Sequence, residues 1–177
     1  EQAADNTAAT NPASPTIEGY RFTGWDKTFD VITGDTEITA KDRKTWTVTF
    51  KDEDGTVLKT EIVDEGTGAT APTEPAKEGH TFAGWNAAFD NVTEDTAVTA
   101  TYTVNQYTVT FKDWDGSVLK TEQVTYNTGA SAPTEPNREG YRFTGWDVSF
   151  ENIMGDTIVT AQYEKEESIV QPTEQEQ

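Results

Sequence analysis

Residues 107–116 read YTVTFKDWDG and repeat, with few changes, the stretch WTVTFKDEDG of residues 46–55. The motif APTEP follows each stretch at the same distance, at residues 71–75 and 132–136, so the period is 61 residues. A Gly-Trp pair marks three copies of the pattern, at Gly24-Trp25, Gly84-Trp85 and Gly145-Trp146. A fixed period of this size indicates tandem copies of one small module. The sequence therefore predicts two complete modules of about 60 residues and one partial module.

Each complete copy is predicted to consist of strands. Apolar Tyr107, Val109 and Phe111 alternate with threonines, which is typical of a half-buried strand. Asp115-Gly116 predicts a tight hairpin turn, because glycine accepts the positive φ angle that such a turn needs. The two prolines of each APTEP motif exclude a regular strand and a long helix, which leaves a single helical turn or an extended crossover. The predicted fold class is therefore mainly β, or small α+β.

Large aromatic side chains are the predicted core anchors, because a domain of about 60 residues buries only about 60% of its unfolded surface. Aromatic faces also stack on sugars, but we expect the repeated tryptophans to serve the core. The predicted core residues are Trp25, Trp85, Trp146, Phe22, Phe82, Phe143, Phe50 and Phe111. Ile62, in contrast, aligns with Gln123 in the next copy, which indicates a position outside the core.

The repeat also sets the predicted domain boundaries. We predict a linker or frayed remnant at residues 1–16, a partial repeat at 17–42, complete repeats at 45–104 and 106–163, and a disordered tail at 164–177. A different phasing, with residues 17–65 and 79–126 as the folding units, would leave the third Gly-Trp copy without a module. We therefore favour the first phasing.

The partial repeat lacks the first hairpin, and half of such a module exposes a sheet edge. Either upstream sequence is missing, or the half-module finds a strand elsewhere, so self-association through this repeat is a possible partner interaction. Glu1 is an unusual natural start, which favours a fragment or a mature form. We expect residues 1–42 to be less protected from proteolysis than residues 45–163.

The composition is strongly acidic, with 32 Asp and Glu against 13 Lys and Arg and a net charge of −19. This charge argues against nucleic acids and anionic membrane surfaces as partners. There is no cysteine, and the single histidine, His80, aligns with Tyr20 and Tyr141. Disulfides, zinc sites and Ser–His–Asp triads are therefore not expected. Since no apolar run reaches the length of a membrane helix, we predict no membrane insertion, and we assign no catalytic, cofactor or metal residues.

Two aromatic residues, Trp114 and Tyr126, are the candidates for ligand contact. Trp114 aligns with Glu53 in the hairpin turn, and a side chain that replaces Glu is expected to be exposed. Local packing is the alternative, since single exposed apolar side chains are common. The acidic turn at residues 113–116 is similar to the start of a calcium loop. It lacks the later oxygen ligands of such a loop, and a hairpin turn accounts for it fully.

Three runs, YTVTFKDWDGSVLKT at residues 107–121, APTEP at 132–136 and EGYRFTGWD at 139–147, resemble the Listeria–Bacteroides repeat. This is the B repeat of internalins, found also in many bacterial surface proteins. The resemblance covers residues 45–163 and, in part, residues 12–40. It implies a β-grasp (ubiquitin-like) fold in a cell-wall-attached or secreted adhesin, where the repeats usually form a stalk, and it brings no established catalytic residues.

The expected function is therefore a non-enzymatic stalk of an adhesin or internalin-like protein, located outside the cell and associated with the cell wall. The alternative is that the repeats themselves bind a host protein or glycan, with several weak contacts acting together. Compact modules of this size measure roughly 27 Å, so three of them end to end would form a semi-rigid rod of about 80 Å.

Overall fold

A computed structural model describes residues 8–167 of the chain. The strands within these residues are β1 Tyr20–Trp25, β2 Ala40–Lys51, β3 Val57–Asp64, β4 His80–Trp85, β5 Thr96–Val104, β6 Gln106–Lys112, β7 Val118–Thr125, β8 Tyr141–Trp146 and β9 Thr157–Lys165. No helix occurs in residues 8–167, so the α+β alternative is corrected to an all-β fold for this part of the chain. The proline crossovers are extended, and no membrane-spanning helix is found in the described residues.

The chain divides into two compact units. Unit 1 comprises Glu1–Pro75 and Phe82–Thr101, and unit 2 comprises Ala76–Thr81 and Tyr102–Gln177. The glycine of each Gly-Trp pair lies at the next-to-last position of its strand and has a φ angle above 125°, as at Gly84 and Gly145. Residues with a side chain rarely adopt this φ angle, which accounts for the glycine at this position of each copy.

In unit 1, β2 is the strand on which the others assemble. Its first part pairs antiparallel with β1, from Tyr20↔Lys44 to Trp25↔Ala40. Its second part pairs antiparallel with β3 and runs parallel to β5. The sheet order is β1-β2-β5-β4, with β3 also beside β2. One continuous strand therefore serves the partial repeat over residues 40–44 and the complete repeat over residues 45–51.

Unit 2 contains a four-stranded sheet in the order β7-β6-β9-β8. The central strands β6 and β9 are parallel, from Val109↔Thr157 to Lys112↔Thr160. The outer strands β7 and β8 are antiparallel to their neighbours. Strands β3, β2, β5 and β4 follow one another in the same order, so both complete copies of the sequence repeat share one strand arrangement.

Each complete copy buries one apolar cluster on one face of its sheet, because side chains of a strand alternate between its faces. The clusters are Val48, Phe50, Val63, Val92 and Val98 in unit 1, and Val109, Phe111, Val124, Ile153 and Val159 in unit 2. Phe50 and Phe111 have no exposed surface. Ile62 is 70% exposed while its neighbour Val63 is buried, which confirms that the position aligned with Gln123 lies outside the core.

The other predicted core aromatics are half-buried, and of these Trp85 and Trp146 pack against the clusters. Trp85 lies edge to face with Phe50, and Trp146 with Phe111, with ring centroids 5.1 Å apart in both pairs. In every copy a phenylalanine packs against the tryptophan at 5.3 Å, in the pairs Phe22–Trp25, Phe82–Trp85 and Phe143–Trp146. These edge contacts join the tryptophan of each complete copy to the buried phenylalanine of the same copy.

Residues 9–15, which lie within the predicted linker or frayed remnant of residues 1–16, take the place of a proline crossover. The backbone N–H of Ala9 donates to Phe29 O at 2.9 Å. The same bond joins the matching residues of the complete copies, Ala69 to Phe89 and Ala130 to Phe150, at 2.8 Å. At the other end, Glu164 and Lys165 extend β9, although the predicted tail begins there. Residues 1–7 and 168–177, the rest of the predicted remnant and tail, lie outside the described residues.

Candidate functional site

The exposed tryptophan lies in the turn between β6 and β7, which is held by its own carboxylates. Asp113 Oδ1 accepts the Trp114 N–H at 2.8 Å, and Asp115 Oδ1 accepts the Ser117 N–H and hydroxyl at 2.9 and 2.6 Å. The bonds from Ser117 lower the pKa of the Asp115 carboxyl. Gly116, with φ at 88°, closes the turn. The turn therefore holds the tryptophan at its tip, with 54% of the residue exposed.

Arg138 lies between two aromatic rings at this turn. Its guanidinium carbon is 3.9 Å from the ring centroid of Trp114 and 3.7 Å from that of Tyr141. Tyr141 begins β8, and an isolated bridge pairs it with Arg138. A cation over an aromatic face is attracted by the negative potential of the ring. The arginine therefore holds the tryptophan of one hairpin against the start of another strand.

Tyr163 completes this group, which we call the Trp114 cluster: Asp113, Trp114, Arg138, Tyr141 and Tyr163. The Tyr163 hydroxyl donates to Asp113 Oδ1 at 2.6 Å. Burial of the ring, with the hydrogen bond to Asp113 next in importance, raises the pKa of Tyr163 to about 12. The phenol is consequently neutral at ordinary pH. The cluster offers a flat apolar surface, a cation and hydrogen-bonding groups, a combination suited to binding rather than to bond cleavage.

The second predicted contact residue, Tyr126, is placed differently. It is half-buried, and its ring lies so close to Gly79 that a Cβ atom added there would be 2.0 Å from Tyr126 Cδ1. A hydrogen bond to Glu78 raises the pKa of the Tyr126 hydroxyl. His80 lies edge to face with this ring, at 6.5 Å between centroids. Tyr126 therefore packs within unit 2, away from the Trp114 cluster, and its role in ligand contact stays a prediction.

Sequence reasoning named Trp114 but missed Arg138, Tyr141 and Tyr163. The first complete copy carries Glu53 and Lys77 at the positions of Trp114 and Arg138. A coupled change at these two positions is a signal that could have linked them. The structural reason for the coupled change is that a planar guanidinium stacks on an aromatic face better than an ammonium does, so an arginine suits the copy that has the tryptophan.

The acidic turn of the first complete copy, which matches residues 113–116, and the single histidine both have local partners. Asp52 Oδ1 accepts the Glu53 N–H at 2.7 Å and Asp54 Oδ1 accepts the Thr56 N–H at 2.8 Å, as in a self-capped hairpin turn. His80 Nδ1 lies 2.8 Å from the Glu78 carbonyl oxygen. Within residues 8–167, no group of three or more His, Cys, Asp or Glu side chains is placed to hold a metal ion.

The sequence profile of the Listeria-Bacteroides repeat domain matches residues 1–45, 46–106 and 107–149. The chain belongs to this family. Internalin H of Listeria monocytogenes (serovar 1/2a) is 44% identical over 86 residues, which cover 42% of this chain and 15% of the internalin. This chain is thus a tandem-repeat segment of the kind found in internalin-like surface proteins.

Two further proteins are similar to this chain. A protein of Evansella cellulosilytica, provisionally named a membrane protein, is 31% identical over 156 residues, covering 76% of this chain and 24% of its own length. Among solved structures, the type 2 repeat of the mucus binding protein MUB from Lactobacillus reuteri has 19% identity and covers 69% of this chain and 99% of that repeat, with a TM-score of 0.20. A TM-score this low does not establish a common fold. The chain spans a quarter or less of the length of its curated relatives.

Proposed function

We propose that this chain is a non-enzymatic spacer in a bacterial cell-surface protein of the internalin type, outside the cell and associated with the cell wall. The observation that carries the proposal is strand β2, which the partial repeat and the next repeat share. Thr45 N–H donates to Gly19 O at 2.8 Å across this joint, and Asn105 N–H donates to Gly79 O at 2.9 Å in unit 2. Bending such a joint would break these backbone hydrogen bonds, which lowers stability.

The proposal includes a β-grasp repeat without the helix. Its support is the strand order: the first strand of the hairpin and the last strand of the repeat form a central parallel pair, the second strand of the hairpin forms one edge, and the third strand forms the other. An extended proline crossover stands where a β-grasp fold has its helix. We assign the complete repeats to residues 45–104 and 106–163, and extend the partial repeat of residues 17–42 back to residue 9.

The net charge of −19 supports a spacer as well. Like charges along a chain resist collapse and non-specific adhesion, and they repel nucleic acids. A semi-rigid rod of about 80 Å is part of the proposal. Small-angle X-ray scattering of the 177-residue chain measures its longest dimension, and a value near the diameter of one compact globule of this length would contradict the rod.

A display experiment tests the spacer function. A reporter binding domain is anchored to bacterial cells through this chain, and capture of beads that carry the reporter's ligand is measured. Removing residues 46–106, one period of the repeat, should lower capture because the reporter lies closer to the wall. An unrelated rigid domain of equal length should restore capture if the repeats act by length. If only the native repeat restores it, the spacer proposal fails.

A second candidate function is direct binding of a host protein or glycan by the Trp114 cluster. It is favoured by the exposure of Trp114 and by the stacked Arg138; the first complete copy has Glu53 and Lys77 at these two positions. A glycan array and a host-cell adhesion assay would compare the chain with Trp114→Ala and Arg138→Ala. Val118→Ser is the matched control, because Val118 is 59% exposed on the same hairpin. Binding that both cluster variants lower, with unchanged melting and a silent control, would support this function.

A further inference from the structure

The first and last strands of each complete copy are parallel neighbours at the centre of its sheet. In the first complete copy, Val48–Lys51 of β2 pair with Thr96–Thr99 of β5. In the second, Val109–Lys112 of β6 pair with Thr157–Thr160 of β9. The chain enters a copy at the start of its first strand and leaves it at the end of its last strand. Because the two strands are parallel, these two points lie at opposite ends of the same pair.

Tension along the chain therefore acts on this pair in shear. In the first complete copy it pulls β2 toward the N-terminal end of that strand and β5 toward the C-terminal end, parallel to both strands. The evenly spaced hydrogen bonds of a parallel ladder then carry the load together and have to break together. The edge strands β3 and β4 lie between β2 and β5 in the sequence, so they receive no load directly while the central pair holds.

Side chains of aspartate add a bond at one end of each parallel pair. Thr47 N–H, just before the paired residues of β2, donates to Asp95 Oδ1 at 2.7 Å, and Asp95 directly precedes β5. The second complete copy has the same bond from Thr108 N–H to Asp156 Oδ1, at 2.8 Å. Each bond joins the strand by which the chain enters the copy to the strand by which it leaves.

Buried side chains shield each parallel pair on one face of the sheet. The residues of the two pairs that have no exposed surface are Val48, Phe50 and Val98 in the first complete copy and Val109, Phe111 and Val159 in the second. Separating the strands would expose these side chains to water together with the broken hydrogen bonds. The free-energy cost of that exposure grows with the apolar area, so it adds to the resistance of the ladder.

We propose that each complete copy is a load-bearing clamp that keeps its length when the chain is pulled at its ends. This inference rests on the proposed spacer function, since a spacer between the cell wall and a bound surface is under tension whenever flow pulls on the cell. The clamp is directional. It resists tension along its first and last strands, and it yields to a force that peels a strand from the edge of the sheet.

Single-molecule force spectroscopy of the 177-residue chain, held at its two ends, tests the proposal. Each complete copy should unfold in one abrupt event that lengthens the chain by about 150–200 Å, since about 60 residues become extended. Both events should occur at a similar force, because the two copies share the same parallel pair.

A second pulling direction supplies the decisive comparison. The chain has no cysteine, so Gln106→Cys with Thr125→Cys creates two unique attachment points. These exposed residues pair at the open end of the β6–β7 hairpin. Pulling there breaks the hydrogen bonds one after another. The hairpin should therefore open at less than about half the force of either end-to-end event at the same pulling speed.

Two double variants separate the clamp from overall stability. Asp95→Ala with Asp156→Ala removes the end bond of both parallel pairs and should lower the force of both events. Glu61→Ala with Glu122→Ala is the matched control, because these carboxylates accept the backbone N–H groups of residues 70 and 131, outside the loaded pair. The control should lower the urea midpoint by a similar amount and leave the unfolding force unchanged.

Equal forces in the two pulling directions would overturn the proposal, and so would gradual lengthening of the chain without distinct events. Aspartate variants no weaker under force than the glutamate control would overturn it as well, because the force would then follow overall stability. The spacer proposal is judged separately, by whether an unrelated domain of equal length restores bead capture. Failure of the clamp and failure of the spacer are therefore read from different measurements.

Discussion

The two described joints between successive repeats share a backbone frame but differ in their side chains. The ionic joint of unit 1 consists of Arg21, Arg43 and Asp64. Asp64 is only 8% exposed and pairs with Arg21 of β1, and Arg43 Nη1 lies 3.6 Å from Asp64 Oδ2. Gly19, beside this joint, has open space around it. Charge therefore fastens β1 and the start of β2 to the end of β3.

The aromatic joint of unit 2 consists of Gly79, His80, Tyr102 and Tyr126. Thr81 and Thr125 replace Arg21 and Asp64, so the ion pair is lost from the sequence. Tyr126 instead covers Gly79, and His80 lies 6.4 Å from the Tyr102 ring centroid. The comparison shows that backbone pairing sets the joint in both cases. The side chains that stabilise it can change completely between copies.

The largest expected difference is in the rate of proteolysis. The ionic joint follows a half-repeat, whereas the aromatic joint follows a complete repeat. Limited proteolysis should cleave within residues 1–42 at least about tenfold faster than within residues 45–163, since a half-repeat without its hairpin opens at lower cost. Mass spectrometry of the fragments over time measures both rates. Equal protection of the two segments would contradict this expectation.

Gly79→Ala should destabilise unit 2 more than Gly19→Ala destabilises unit 1. Both glycines have positive φ angles, 67° and 76°, so both substitutions carry a similar backbone strain. Only the alanine at position 79 meets Tyr126, and this overlap should cost about 1–3 kcal/mol more. Amide exchange under urea, read separately in each unit, measures the difference. In the double variant Gly79→Ala/Tyr126→Ala the excess should disappear; if it persists, ring overlap is not the cause.

Asp64→Ala should lower the stability of the ionic joint by about 1 kcal/mol, a modest value because both arginines are more than half exposed. The loss should shrink in 1 M salt, where exposed charges are screened within about 3 Å. Urea unfolding at low and high salt measures both effects. Arg142→Ala is the control, since Arg142 and Glu164 form a pair that is 69% and 67% exposed. A salt-independent loss at Asp64 would point to packing instead of charge.

The smallest expected effect is a loss of stability of unit 2 at alkaline pH. The folded unit raises the pKa of Tyr126 through Glu78 and the pKa of Tyr163, to about 12, through burial and Asp113. A raised tyrosine pKa stabilises the fold fully below about pH 10 and is lost as pH rises through the folded value. Amide exchange in unit 2 between about pH 10 and 12, followed relative to unit 1, reports the loss. Tyr126→Phe with Tyr163→Phe should remove the pH dependence, and a dependence that persists would assign it to other groups.

Much of the strand content could be predicted from the sequence because alternation and turn chemistry are local. The Tyr107–Phe111 alternation and the Asp115-Gly116 turn correspond to β6 and its hairpin. The crossover at residues 9–15 was harder to predict, because this segment keeps the two prolines of the APTEP motif but lacks its Thr-Glu pair. The Trp114 cluster could be predicted only in part, since Arg138 lies 24 positions along the chain, and the intervening crossover decides where it arrives.

By itself, the sequence determined the repeat, the strands, the tight turns and the acidic surface, since each depends on neighbouring residues or on composition. Only the tertiary structure decided that β2 serves two repeats, that Arg138 stacks on Trp114, that Tyr126 covers Gly79, and that the first and last strands of each complete copy are parallel neighbours. The physical reason is that these features depend on which distant segments meet. Alternation fixes the face on which a side chain lies, but the paths of the crossovers and the pairing registers fix what it contacts.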